Sequence, residues 1–263
     1  MSTPDTASHG APTIRKLTRS DLKASLALGV RDFYSAAFID LCLASFFVGA
    51  GLLMTLITYW TGQTFWLVLA VLGFPMVGTL CALGFYEISR QRMLDKTPNF
   101  PSIARLIWAS RGGQVPWFAT IIVVIFLFWF FLGHMIFALF LGLSPMTNVS
   151  TSFHVFFTMQ GAMMIIVGTA VGAGFSGLVF AVSVHGVPML LDCDVDFITA
   201  MLRSMSTVFE SLPLYLGWGA FIGFVTLVSV APLFFGLFVT MPVLGHASWH
   251  LYNRLTEARM ECS

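Results

Sequence analysis

Apolar residues run through this chain in long stretches separated by short polar connections. A membrane-crossing helix takes about 20 mostly apolar residues. Ala36–Trp60 and Phe65–Tyr86 reach that length on either side of a Thr61-Gly62-Gln63-Thr64 turn. Val115–Leu141 is a third run and Phe153–Val184 a fourth, joined by the uncharged connection Ser144–Ser152. The last stretch, Leu214–Trp249, is either one overlong helix or a tight hairpin. Pro232 disfavours a continuous helix, and a turn near Ser229-Val230-Ala231 leaves two halves of about 18 residues each. The pattern therefore predicts six spans, at about 36–60, 65–86, 115–141, 153–184, 214–230 and 232–249, with five spans as the alternative.

The connections on one side carry a second periodicity. Phe100, Ile103, Ala104 and Ile107 recur at helical spacing, as do Phe197, Ala200, Met201, Met205 and Val208. That stripe is the mark of a helix lying at the membrane surface. Met93-Leu94-Asp95 precedes Phe100 and Pro116 at the same offsets at which Leu190-Leu191-Asp192 precedes Phe197 and Pro213. Near the N-terminus, Thr18-Arg19-Ser20-Asp21 resembles a capping box, after which Leu22, Leu26, Val30 and Phe33 share a helix face. The fold expected is all-α: a polytopic transmembrane helical bundle of six spans, arranged as three hairpins, each preceded by an interfacial amphipathic helix. Residues 1–16 are expected as a flexible cytoplasmic tail, 17–255 as the membrane domain and 256–263 as a second cytoplasmic tail.

Charge turns this plan into an orientation. The chain is 57% hydrophobic and 10% charged, and its 13 Lys and Arg fall in four segments: 15–31, 90–111, Arg203 and 254–259. Basic residues near span ends stay cytoplasmic. The three turns expected on the far side, Thr61–Thr64, Ser144–Ser152 and Ser229–Ala231, hold no Lys, Arg, Asp or Glu. A multi-pass protein of the bacterial inner membrane follows, with both termini cytoplasmic. A net charge of +1 offers no basic face to a nucleic acid. The lipid bilayer is the expected partner, with other membrane proteins as further candidates. Residues Met1–Thr18 hold no apolar core of a signal peptide. The four cysteines, Cys42, Cys81, Cys193 and Cys262, form no CxxC pair and are expected as reduced, packed thiols.

Ionisable residues inside a bilayer are the default functional candidates. Asp40 lies about one turn into the first span, Glu87 ends the second, His185 ends the fourth, and His246 and His250 sit near the end of the sixth. His246 and His250, four residues apart, share a helix face that could chelate a metal. Helix capping and pairing with Arg31, Arg90 or Arg203 are the plainer roles. Convergence of these five residues in one pocket would favour an enzyme or metal protein, and dispersal would end that reading. His134 lies well inside the third span, where haem ligation, proton relay, a quinone contact or a simple interhelical hydrogen bond are the readings. Bis-histidine haem fails for want of a second histidine at that depth. Gly168-x-x-x-Gly172 and Gly219-x-x-x-Gly223 suit close helix packing. No GxSxG or Walker lysine is present, and no catalytic residue, metal or cofactor is expected.

The segment Met241–Tyr252 contains Pro242-x-x-Gly245-His246-x-x-Trp249-His250-x-Tyr252. This signature resembles the ending of a bacterial family of integral membrane proteins, domain of unknown function 2189, as does the six-span layout from about Leu17 to Leu255. The resemblance implies fold and location and brings no activity, ligand or cofactor; His246, Trp249 and His250 carry it. Read physically, Trp249 and Tyr252 are expected in an interfacial aromatic belt. The function expected is a non-catalytic accessory, assembly or scaffold protein. The alternative is a transporter or channel for a small or lipidic solute, using His134, Thr169, Gln160 and Ser176, and its test is a cavity reaching His134.

Overall fold

The computed structural model describes residues 12–62, 82–142 and 156–257. Its helices are α1 (Arg19–Thr61), α2 (82–93 in its described part), α3 (Phe100–Ser110), α4 (Val115–Leu141), α5 (Met159–Ser183), α6 (Gly186–Asp192), α7 (Phe197–Glu210), α8 (Leu212–Val230) and α9 (Leu237–Leu255). Two short strands, β1 (Thr13–Ile14) and β2 (Thr256–Glu257), pair antiparallel. The Arg15 N–H extends this ladder by donating to the Leu255 carbonyl at 2.9 Å. Stretches expected as tails are thus tied to each other.

The capping box at Thr18 forms as the sequence predicts, with Asp21 as its fourth residue. The amphipathic helix that follows meets the first span at a kink. Both belong to α1, whose one non-helical residue is Ala36 (φ −123°, ψ 19°), where the apolar run begins. α3 and α7 form where the periodicity placed them. Asn99 Oδ1 caps α3 by accepting from the Ser102 N–H at 2.9 Å. Asp196 Oδ1 caps α7 by accepting from the Thr199 and Ile198 N–H groups, and the bonds from Thr199 hold its carboxyl below the ordinary range.

The last apolar stretch is two helices. α8 and α9 are joined by residues 231–236, in which Leu233 and Phe234 take left-handed backbone (φ 52° and 67°). Such a conformation costs about 1–2 kcal/mol per residue. Packing offsets it at Phe234, whose ring occupies the space a side chain on Gly51 would need: a Cβ there would lie 2.8 Å from Phe234 Cδ1.

Among the described residues, four helical stretches are long and apolar enough to cross a membrane: Arg19–Thr61, Val115–Leu141, Met159–Asp192 (α5 continued by α6) and Leu212–Val230. Most of the expected span at 65–86 lies outside the described residues. The expected sixth span corresponds to α9, which begins five residues later than 232, ends six later than 249, and is not among the four.

Burial is concentrated at one end of the bundle. The main core joins Leu83 and Tyr86 of α2, Phe118 of α4, Val182 of α5, Met189 of α6, Ala200 of α7, Tyr215 of α8 and Trp249, Leu251 and Tyr252 of α9. These lie at the helix ends adjoining the basic connections. Farther along the same helices large apolar side chains point outward, among them Phe128, Phe131, Leu139, Phe224 and Leu227. Such a surface suits lipid. The expected close packing at the glycine pairs holds at one member of each. A Cβ on Gly172 would come 3.3 Å from Trp129 and one on Gly219 3.3 Å from Phe180, whereas Gly168 and Gly223 meet nothing within 4 Å among the described residues.

Candidate functional site: a buried acid–histidine lattice

The buried face of α1 is not its apolar one. Asp21, Ser25, Gly29, Asp32, Ala36, Asp40 and Ala44 recur every three or four residues, and all are buried. This stripe of small and acidic residues lies along α9, which runs antiparallel to α1: Asp21 reaches Arg254, Asp40 reaches His246, and Gly51 packs against Phe234. Small residues let the backbones touch. A Cβ on Gly29 would sit 2.6 Å from the Val243 carbonyl oxygen and 2.8 Å from the Ala247 nitrogen. On another side of α9, a Cβ on Gly245 would collide with Phe85 of α2 at 2.9 Å.

Within this three-helix contact the polar groups are bonded to one another. Asp32 Oδ2 accepts from Ser89 Oγ and lies 2.7 Å from His250 Nε2, while Oδ1 accepts from Arg92 Nε at 3.1 Å. His246 Nδ1 lies 2.9 Å from Ser89 Oγ and 3.0 Å from the Phe85 carbonyl oxygen, and its Nε2 lies 3.1 Å from Asp40 Oδ2. Asp40, Ser89 and His246 are fully buried, and Asp32 and His250 nearly so. Arg92 is the one member with substantial access to solvent, its side chain 27% exposed.

The partners fix where protons sit. A carbonyl only accepts, so His246 Nδ1 carries a hydrogen toward Phe85 and Ser89. Ser89 Oγ is then free to give its own hydrogen to Asp32. Across the Asp40–His246 contact two bare acceptors would repel, so one proton lies between them, on the carboxyl or on Nε2. The other carboxyl oxygen, Asp40 Oδ1, is buried without a partner among the described residues.

Of the seven residues singled out in the sequence, this lattice unites Asp40, His246 and His250. Glu87 lies outside it, accepting from Arg90 Nε and Gln91 Nε2 at 2.7 Å each, with Gln91 tied in turn to Ser102 of α3. His185 forms a separate buried site: its Nε2 lies 2.6 Å from Tyr215 Oη and its backbone N–H donates to Ser204 Oγ, while Nδ1 has no partner among the described residues. Convergence of all five ionisable candidates does not occur. Among the described residues no three His, Cys, Asp or Glu are gathered to hold a metal ion. Of the arginine pairings expected, Arg90 forms one, with Glu87; Arg203 Nε instead donates to the Pro12 carbonyl, and the arginine bound in the lattice is Arg92, on Asp32.

Trp249 and Tyr252 are not in an interfacial belt. Both are fully buried; Trp249 stacks on Tyr86 with ring centroids 6.2 Å apart, and Tyr252 Oη donates to Asp192 at 3.3 Å. Five of the six fixed positions of the C-terminal signature therefore have a packing task. Gly245 admits α2, His246 and His250 bind α1, Trp249 stacks on α2 and Tyr252 holds the end of α6. Cys193, beside Tyr252, is disulfide-bonded rather than a reduced thiol, and Cys42 is free.

Sequence reasoning missed Asp32, Ser89 and Arg92. The signal for Asp32 was its place in the small and acidic stripe; reading only the apolar positions of α1 passed over it.

A second feature lies away from the lattice. His134 is exposed on α4, its Nδ1 2.8 Å from the Phe130 carbonyl one turn back. A groove of about 410 Å³ between α4 and α5 reaches it, lined also by Trp129, Phe130, Gly168 and Thr169. Gln160 and Ser176 do not line it.

Residues 66–192 match the family described as "Predicted integral membrane protein (DUF2189)", a range that includes Ser89 and Arg92 and stops short of the signature in α9. No curated protein and no solved structure matches the chain. Over residues 66–192 the chain is thus similar to the family of integral membrane proteins known as domain of unknown function 2189.

Proposed function

We propose that the chain is a non-catalytic, six-span protein of the bacterial inner membrane with both termini cytoplasmic, acting as an accessory, assembly or scaffold protein. The observation that carries this is the pairing of Asp32, Asp40, Ser89, Arg92, His246 and His250 with one another across three helices. A catalytic or ion-carrying site presents its groups to a substrate; these are turned inward and hold helices together. The outward Phe100 and Trp108 of α3, with Ile198, Leu202 and Phe209 of α7, supply surface for bilayer or partner.

The test is purification of the tagged protein from its native membrane in mild detergent, with mass spectrometry and metal analysis of one sample. A partner recovered in fixed stoichiometry supports the accessory role. A protein free of partners, or one carrying a stoichiometric metal, overturns it.

A transport function is the second reading, favoured by the groove that reaches His134 and Thr169. Its test is solute uptake by proteoliposomes, compared between the native chain and His134→Phe.

A further inference from the structure

We infer that the groove between α4 and α5 is a binding site for a membrane-soluble phenol, whose hydroxyl donates to His134 Nε2. This goes beyond both functional readings and does not depend on the lattice.

The argument begins with the tautomer of His134. Its Nδ1 lies 2.8 Å from the Phe130 carbonyl oxygen, which can only accept. Nδ1 therefore carries the hydrogen. An imidazolium is costly in hydrocarbon, so the ring is neutral and Nε2 presents a bare lone pair. No described residue supplies a donor to it. Thr169, on the facing helix, lines the same groove, and its side chain makes no hydrogen bond with any described residue.

An unmet acceptor in an apolar groove states what the ligand must bring. Phospholipid chains have no donor and their esters only accept, so ordinary lipid fills the space and leaves Nε2 bare. A hydroxyl meets the demand. The walls specify the rest: Trp129, Phe130 and Phe137 offer ring surfaces, and Ile165, Met164 and Val171 add aliphatic ones. Aromatic side chains pair favourably with a flat ring. At Gly133 and Gly168 a Cβ would meet nothing within 4 Å among the described residues, which leaves room for it. The volume of about 410 Å³ falls within the usual range for small-molecule sites. A phenol combines a strong donor with a flat ring, and an alkyl tail lies along the helices.

The experiment compares 4-nonylphenol with 4-nonylanisole, which differ by methylation of the hydroxyl, on the full chain in lipid nanodiscs. Binding is read from tryptophan quenching, with Trp129→Phe identifying the reporter. The phenol is expected to bind at least about tenfold more tightly than the anisole, a difference matching one buried hydrogen bond. His134→Phe should erase that preference. His134→Gln, which restores an acceptor on a side chain facing lipid, should recover part of it. Equal binding of the two probes, or a preference unchanged in His134→Phe, would mean partition into lipid only and overturn the assignment.

Discussion

Two helix pairs in this molecule solve the same problem in opposite ways. α1 and α9 meet through small residues and carry their polar groups inside the contact, where acid faces histidine. α4 and α5 meet through bulky apolar residues, and the polar side chains between them, His134 and Thr169, border an open groove. The first pair is closed because every lattice residue has its partner on a neighbouring helix. The second stays open because its histidine satisfies Nδ1 on its own helix and asks nothing of α5. Intramembrane histidines thus differ by whom they bind: one bonded across helices is structural mortar, and one bonded along its own helix leaves a nitrogen for something else.

The largest disruption should come from removing the lattice's shared acceptor. Asp32→Ala leaves Arg92, His250 and Ser89 without their common partner. Breaking a buried ion pair by deleting one member costs about 3–5 kcal/mol. Thermal unfolding in detergent should show a loss of that size, and His134→Phe should show almost none. Comparable losses in both would erase the distinction between the two pairs.

Next comes the close approach of the helices. Gly29→Ala drives a methyl into the Val243 carbonyl at 2.6 Å, against backbone that cannot rotate away. Overpacking of this kind costs about 1–3 kcal/mol or more. The same change at Gly168 meets none of the described residues within 4 Å and should gain up to about 1 kcal/mol from helix propensity. Opposite signs for the two alanines, measured in one unfolding assay, would sharpen the contrast.

Asp40 then tests the proton between it and His246. Asp40→Ala leaves His246 Nε2 buried and unpaired, at about 1–3 kcal/mol. Asp40→Asn can turn its amide N–H toward that nitrogen and should recover most of the loss. If asparagine is no better than alanine, the contact is a carboxylate with an imidazolium rather than a carboxylic acid with a neutral ring.

What the sequence made legible follows from the length of each signal. Long apolar runs gave α4 to within its terminal residues, and amphipathic periodicity gave α3 and α7. Pro232 marked the break between α8 and α9, though the turn runs through residue 236 because Leu233 and Phe234 adopt left-handed backbone that no composition rule anticipates. Asp40, His246 and His250 stood out as ionisable groups in apolar surroundings. Their union could not be read, because residues 206 positions apart meet only through the antiparallel crossing of α1 and α9. Asp32 was hidden for a different reason. It lies beside the apolar face of α1, in a region where charge is ordinary and invites no question. Trp249 was misplaced because an aromatic near a span end fits a belt as well as a core, and only the glycine beside it, admitting α2, decides between them.

The smallest effect lies at the exposed end of the α1–α9 contact and depends on pH. Arg15 donates twice to the Asp21 carboxylate, at 2.7 and 2.9 Å, and Thr18 also bonds it. The Arg15 hydrogen bonds hold the Asp21 carboxyl well below the usual range. A carboxyl depressed in the folded state contributes stability that is complete above its unfolded value and fades as pH falls through the folded one. The contribution should therefore be intact at neutral pH and decline only in strong acid, below the model-peptide aspartate value of 3.8. Because Arg15 is about one-third exposed, screening keeps the effect small. Its readout is local: protease access to the β1–β2 ladder, which Arg15 continues through its bond to Leu255. Asp21→Asn should open the ladder at neutral pH and flatten its response to acid, while leaving the Asp32 lattice, about three turns farther along α1, untouched. A global loss of stability in that variant would instead mean that the cap and the lattice act as one unit, and that the closed pair extends to the surface of the protein.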